Sequence, residues 1–148
     1  MSMNVVEASA LGKRYGRTWA LRECTLAVPD GHVAALVGPN GAGKTTLLNL
    51  AVGLAEPAAG AVTVLGGLPA GSPAALDGIA FVAQDTPQYK NLSAADLLHL
   101  TRNLNRRFDQ HYTEARLAEL GIPQKRKAGR LSGGQRAGQA LRDHMGAA

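Results

Sequence analysis

The stretch Gly38-Pro39-Asn40-Gly41-Ala42-Gly43-Lys44-Thr45-Thr46 constrains this chain more than any other. It follows His32-Val33-Ala34-Ala35-Leu36-Val37, a nearly all-apolar run that reads as a strand buried on both faces. It precedes Leu47, Leu48, Ala51 and Val52, which fall at helical spacing from Lys44. Gly53 then closes the predicted helix. The loop fits G-x-x-x-x-G-K-[ST] at every fixed position, with a strand before it and a helix after it. The physical reason for that pattern is direct. Glycines let successive backbone N–H groups curl into a nest for an anion. The helix that starts there turns its positive end to the same place. The chemistry calls for a phosphate.

The residue types narrow the phosphate further. Lys44 is placed to reach the β- and γ-phosphates of a nucleoside triphosphate, and the Thr45 hydroxyl to ligate Mg²⁺. The chain as a whole is sized and composed for one globular domain. It has 148 residues, 45% hydrophobic and 18% charged, with aromatics at 4%. Aromatics this scarce favour close-packed layers and tight turns over a large aromatic core. The single cysteine, Cys24, excludes an internal disulfide and reads as packed in the apolar stretch "CTLAV". The N-terminus has no signal-peptide core, and no run approaches the ~18 apolar residues of a membrane span. A cytosolic protein, or one docked on a membrane through a partner, is the expectation.

Charge is unevenly placed. Residues 1–88 carry five Lys/Arg against six Asp/Glu, and residues 89–148 carry eleven against five. The densest part is Lys125-Arg126-Lys127 with Arg130. No aromatic residues interleave with these charges, as a single-stranded nucleic-acid platform would require. They read as a solvated face, and no nucleic-acid partner is expected.

The element pattern changes along the chain. "VVEASAL" and "ALRECTLAV" read as strands joined through "GKRYGRTW". Pro29-Asp30-Gly31 is a turn. "GAVTVLG" and "GIAFVAQ" read as two more short strands. After Gln84 the signals are helical. Ser93 and Asp96 form a capping box ahead of Leu97, Leu100 and Leu104, which share a predicted face. A second helix is predicted over Tyr112–Leu120, stopped by Gly121 and Pro123. The fold class is therefore α/β.

Leu131-Ser132-Gly133-Gly134-Gln135 narrows the class. Ser132 suits an N-cap, and Gly133 and Gly134 expose N–H groups at a helix start. With this motif in place the sequence resembles the ATP-binding subunit of ABC (ATP-binding cassette) transporters, from about Val5 to about Arg136. The resemblance implies the P-loop nucleoside triphosphate hydrolase fold of ABC type, binding ATP and Mg²⁺. It implies that Tyr15, in "KRYG", stacks on adenine, and that Gly38 to Thr46 hold the phosphates. It makes Gln84, in "FVAQDTP", the glutamine that touches Mg²⁺ and the attacking water. It makes Leu131 to Gln135 the signature that meets the γ-phosphate held by a second ATP-binding subunit. Two chains would close over two nucleotides and drive a transmembrane permease from the cytoplasmic face of the plasma membrane. Residues 103–135 also look like single-domain ATPases that serve bacterial exporters. The domain reading is a core over about 1–88, a helical subdomain over about 89–131 and a signature helix over 132–145.

The sequence departs from the family pattern after the signature. There the family has an apolar strand ending in Asp-Glu, in which the Asp orients Mg²⁺ through water and the Glu is the general base, and later a switch histidine. No such strand occurs in residues 1–148. The run ending at Asp77 precedes Gln84 and lacks the Glu, and Asp85 lacks a strand to aim it. His32, His99, His111 and His144 are misplaced for the switch. Gly138 falls inside the predicted signature helix. The expectation is a chain cut off after that helix, with an unpaired sheet edge beside the phosphate loop, marginal stability and slow hydrolysis. The rival readings are a non-hydrolysing nucleotide-binding remnant and a small P-loop kinase. A DNA-repair ATPase with the same signature would need sustained heptads between the motifs, and residues 46–130 show none.

Overall fold

The computed structural model describes residues 3–84 and 89–130. The chain divides into two compact units, Met1–Ile79 and the residues from Ala80 onward. The first is built on a hairpin of β1 (Asn4–Tyr15) and β2 (Thr18–Pro29). Two shorter strands, β3 (Ala59–Val64) and β4 (Leu68–Pro69), extend the sheet. Its order is β2-β1-β3-β4, antiparallel throughout.

The stretch expected to join two separate strands, residues 12–19, is instead mostly strand. Pairing continues through Lys13↔Leu21, Arg14↔Trp19 and Tyr15↔Thr18, and only Gly16-Arg17 turns. Tyr, Trp and Thr favour the pleated surface, and cross-strand pairs of this kind reinforce it. The partial alternation of the sequence has a local cause. Register shifts between Ala8 and Leu11, where Ala10 takes a left-handed φ of 46°. The Ala10 N–H donates to Thr25 Oγ1 at 3.0 Å, which satisfies the bulged residue.

Helix α1 (Lys44–Ala51) lies in the same unit. Leu47, Leu50 and Ala51 pack with Ala8, Leu11 and Val62, and half-buried Cys24 joins the edge of that cluster. Leu50 is fully buried while Leu48 is 46% exposed, so the inner face differs by one position from the predicted one. In an eight-residue helix the triad 47, 50, 51 satisfies the i, i+3, i+4 rule without Leu48. Burying a leucine such as Leu50 stabilises by about 1.5–3 kcal/mol. The helix ends where expected. Gly53 has φ 74°, and a Cβ there would lie 2.2 Å from Gly71 Cα, so a side chain is excluded on both counts. The apolar run before Asp77 is α2 (Pro73–Leu76), a single turn in which Ser72 Oγ accepts from the Ala75 N–H at 3.3 Å.

Two predicted strands are not formed. Residues 32–37 form no strand and no ladder pairing among the described residues, with Val33 104%, Leu36 44% and Val37 85% exposed. A strand needs a neighbour to hydrogen-bond, and both sides of β1 are already taken by β2 and β3. "GIAFVAQ" is likewise not a strand, and Gln84 sits exposed at a bend.

The second unit holds α3 (Ala94–Leu104) and α4 (Gln110–Glu119). The capping box forms as read. The Asp96 N–H donates to Ser93 Oγ at 3.1 Å, and the Ser93 N–H donates to Asp96 Oδ2 at 2.8 Å. The inner face of α3 is Ala94 and Leu98, packed with Leu117 and Ile122, while Leu100 and Leu104 lie outside. The predicted leucine stripe is thus rotated away from this small core, which α4 fills with Leu117 and the buried Thr113. Helix α4 begins at Gln110, two residues ahead of the expected start, and Asp109 caps it, its Oδ1 accepting from the Tyr112 N–H at 2.8 Å. A 3-10 turn at Ala128–Arg130 follows, tied back by the Ala128 N–H to the Leu92 carbonyl at 2.8 Å. Among the described residues no helix is long and apolar enough to cross a membrane.

Candidate functional site

The phosphate loop leads from the unpaired segment 32–37 into α1. Gly41 and Gly43 take left-handed φ values of 84° and 89°. Gly43 also meets β2 so closely that a Cβ would stand 2.5 Å from the Ala20 carbonyl oxygen. The loop is braced across its neck by the Ala42 N–H donating to the Pro39 carbonyl at 3.2 Å. Glycine at the N-cap offers no side-chain acceptor, and no acidic residue stands in the first turn. The first N–H groups of a helix have no partner within the helix. At α1 they are left to an anion, aided by the positive end of the helix.

A cavity of about 230 Å³ opens beside this helix start, lined by Ala20, Gly41, Gly43, Thr45 and Thr46. Lys44 Nζ donates to the carbonyls of Gly38 and Pro39 at 2.6 and 2.7 Å. The ammonium therefore lies inside the curl of the loop. To engage a phosphate it exchanges those two acceptors for phosphate oxygens. Thr45 is exposed and offers a hydroxyl at the cavity wall. Mg²⁺ is bound through few protein oxygens plus substrate phosphates. The donor set at the loop fits that mode, with Thr45 as a protein oxygen.

Tyr15 ends β1 at the tip of the hairpin and is 54% exposed. Its partner Thr18 is two residues from Ala20, which lines the cavity. At a strand rise of about 3.4 Å per residue, that is about 7 Å along β2. Lys13 Nζ stands 5.2 Å from the Tyr15 ring centroid, and Arg14 and Arg22 flank the Trp19 ring. Ala20 and Lys13 are residues that sequence reasoning did not single out. Ala20 carries no side-chain signal, and only the approach of Gly43 reveals it.

The structure thus brings the loop, Lys44, Thr45 and Thr46 together in the first unit. Gln84 belongs to the second unit. Leu131, Ser132, Gly133, Gly134 and Gln135 lie outside the described residues, as do Asp85, Gly138, His144 and the predicted helix 132–145. Lys125, Arg126, Lys127 and Arg130 are exposed around an open cleft of about 430 Å³. In the second unit Asp96 completes the capping box of α3. Its carboxyl is held below its ordinary value, chiefly by the Ser93 N–H and then by the Ser93 hydroxyl.

Comparison with known proteins agrees with this geometry. A solved structure titled as the ATP binding subunit of an ABC transporter superposes with a TM-score of 0.81 over 97% of this chain and 62% of that one. At 24% identity it speaks for the fold alone. The zinc import ATP-binding protein ZnuC of Jannaschia sp. (strain CCS1) is 34% identical over 137 residues, covering 90% of this chain and 51% of that protein. The sulfate/thiosulfate import ATP-binding protein CysA of Mycobacterium bovis is 35% identical over 146 residues, covering 95% and 41%. The chain thus spans about half the length of the curated relatives it matches. A family profile described as ABC transporter matches residues 21–143, most of the chain. The chain belongs to the ABC transporter family.

Proposed function

We propose that this chain binds Mg-ATP and serves as the ATP-binding part of an ABC transporter. The observation that carries the reading is the phosphate loop. Two left-handed glycines and an uncapped helix start meet at one cavity, and the Lys44 ammonium is held by the Gly38 and Pro39 carbonyls of the same loop. In this reading Gly38–Thr46 hold the phosphates, Lys44 offsets the β/γ charge, and Tyr15 stacks on adenine. Thr45 and Gln84 supply oxygens to Mg²⁺, which when bound screens the phosphate charge. Ser132 to Gln135 face the nucleotide of a second ATP-binding subunit, and a permease couples the pair to transport at the cytoplasmic face of the membrane. The matched relatives are named for import, and the exporter-like look of residues 103–135 gains no support from those names.

Turnover by residues 1–148 alone is proposed to be slow, which keeps the non-hydrolysing binding module as the second reading. No Asp-Glu pair occurs anywhere in this sequence. General-base help is typically worth ~10²–10⁴-fold. Calorimetry with Mg-ATP tests the binding. Lys44→Ala should weaken it at least about tenfold, the scale of a lost charge-assisted hydrogen bond. Equal affinity in the two proteins would sink the reading. Phosphate release by the same preparation should stay below about one per second, the low end of ordinary enzymes.

A further inference from the structure

We propose that Lys13 is a positioning residue that fixes the Tyr15 ring for the adenine base; this rests on Tyr15 being the adenine platform. Residues 13 and 15 lie two apart on β1 and so project to the same face. The Lys13 ammonium stands 5.2 Å from the Tyr15 centroid, inside the ~6 Å reach of a cation–π contact. A lysine on an exposed hairpin would ordinarily wander. This one is tethered, because its Nζ donates to the Glu56 carbonyl at 2.7 Å.

The backbone on either side of Glu56 is held by hydrogen bonds. The Leu54 and Ala55 N–H groups donate to the Asn49 carbonyl in α1 at 2.8 and 3.2 Å, and the Ala58 N–H donates to the Gly12 carbonyl at 2.8 Å. The tether therefore runs from the helix whose first turn bears the phosphate loop, through the connection after it, to Lys13 and the ring. Phosphate end and base end of the site are linked by hydrogen bonds that do not pass through the hairpin turn. With the ammonium over the ring and Tyr15 54% exposed, the residue keeps accessible surface on which a flat base can stack.

The test compares Mg-ATP with Mg-tripolyphosphate, which has the phosphates and no base. Lys13→Met keeps the aliphatic stem and removes the charge. It should weaken ATP about threefold, the scale of an exposed cation–π contact, and leave tripolyphosphate unchanged. Added to Tyr15→Ala it should cost nothing more, and Lys13→Arg should restore most of the affinity. Equal weakening of both ligands would make Lys13 a phosphate contact and overturn the proposal. Full additivity with Tyr15→Ala would overturn it too. If Tyr15→Ala weakens ATP while Lys13→Met does not, the role of Lys13 alone is wrong. If Tyr15→Ala itself leaves ATP binding unchanged, the adenine platform is wrong, and the role of Lys13 goes with it.

Discussion

The phosphate loop and the six residues before it are neighbours in sequence and opposites in structure. Residues 38–46 take the conformation their residue types call for, with glycines at left-handed φ and a helix starting at Lys44. Residues 32–37 carry an equally strong strand signal and form none. The difference lies in where the partners are. A turn of this kind is specified by the dihedral freedom of its own glycines and by the helix it feeds. A strand is specified by another strand. Val33 and Val37 supply apolar surface, yet no described neighbour supplies hydrogen bonds.

The largest effect that would break this comparison comes from Gly43. Alanine there meets both a φ of 89° and the Ala20 carbonyl. Gly43→Ala should cost about 1–3 kcal/mol in urea unfolding, the usual range for a residue forced into such backbone, and should abolish ATP binding with it. A neutral result would mean that the loop is not locally specified.

A middle-sized effect sharpens the contrast from the other unit. Ser93 caps α3 entirely by local bonds. Ser93→Ala should cost about 1 kcal/mol, as N-cap removals do. The Asp96 partner adds a pH signature. Its carboxyl is depressed in the folded chain, so the stability it supplies is present above its unfolded value and is lost as pH falls through the folded one. The advantage of the wild type over Asp96→Asn should therefore shrink on acidification, as read by thermal melts from neutral pH into the acid carboxylate range. An advantage that holds constant would contradict the capping role.

The smallest effect belongs to the unpaired segment. Val37→Lys at an 85% exposed position should change stability by no more than about 0.5 kcal/mol. It should also lower binding of a hydrophobic dye. A loss above about 2 kcal/mol would show this valine buried in solution, against a neighbouring strand or another copy.

How much was legible follows the same division. The phosphate loop, the stop at Gly53, the Pro29–Gly31 turn and the Ser93–Asp96 box could be read because each depends on residues within a few positions. Leu48 against Leu50, and the Leu97–Leu104 stripe against Ala94 and Leu98, could not. Helical period fixes a face only approximately in eight to eleven residues, and the opposing layer chooses within it. The hairpin tip was hidden by its charged residues, although Tyr15 and Trp19 favour strand. Lys13 and Ala20 were invisible because their significance comes from Glu56 and Gly43, distant in sequence.

The most direct test of the central claim is a residue-resolved ¹H–¹⁵N titration of the chain with Mg-ATP. The amides of Gly38 and of Asn40–Thr46 should shift together and saturably, with Ala20 and Tyr15 following at the same ligand concentration. Shifts confined to residues 89–130, or none in the loop at saturating ATP, would contradict the assignment of this loop as the nucleotide site.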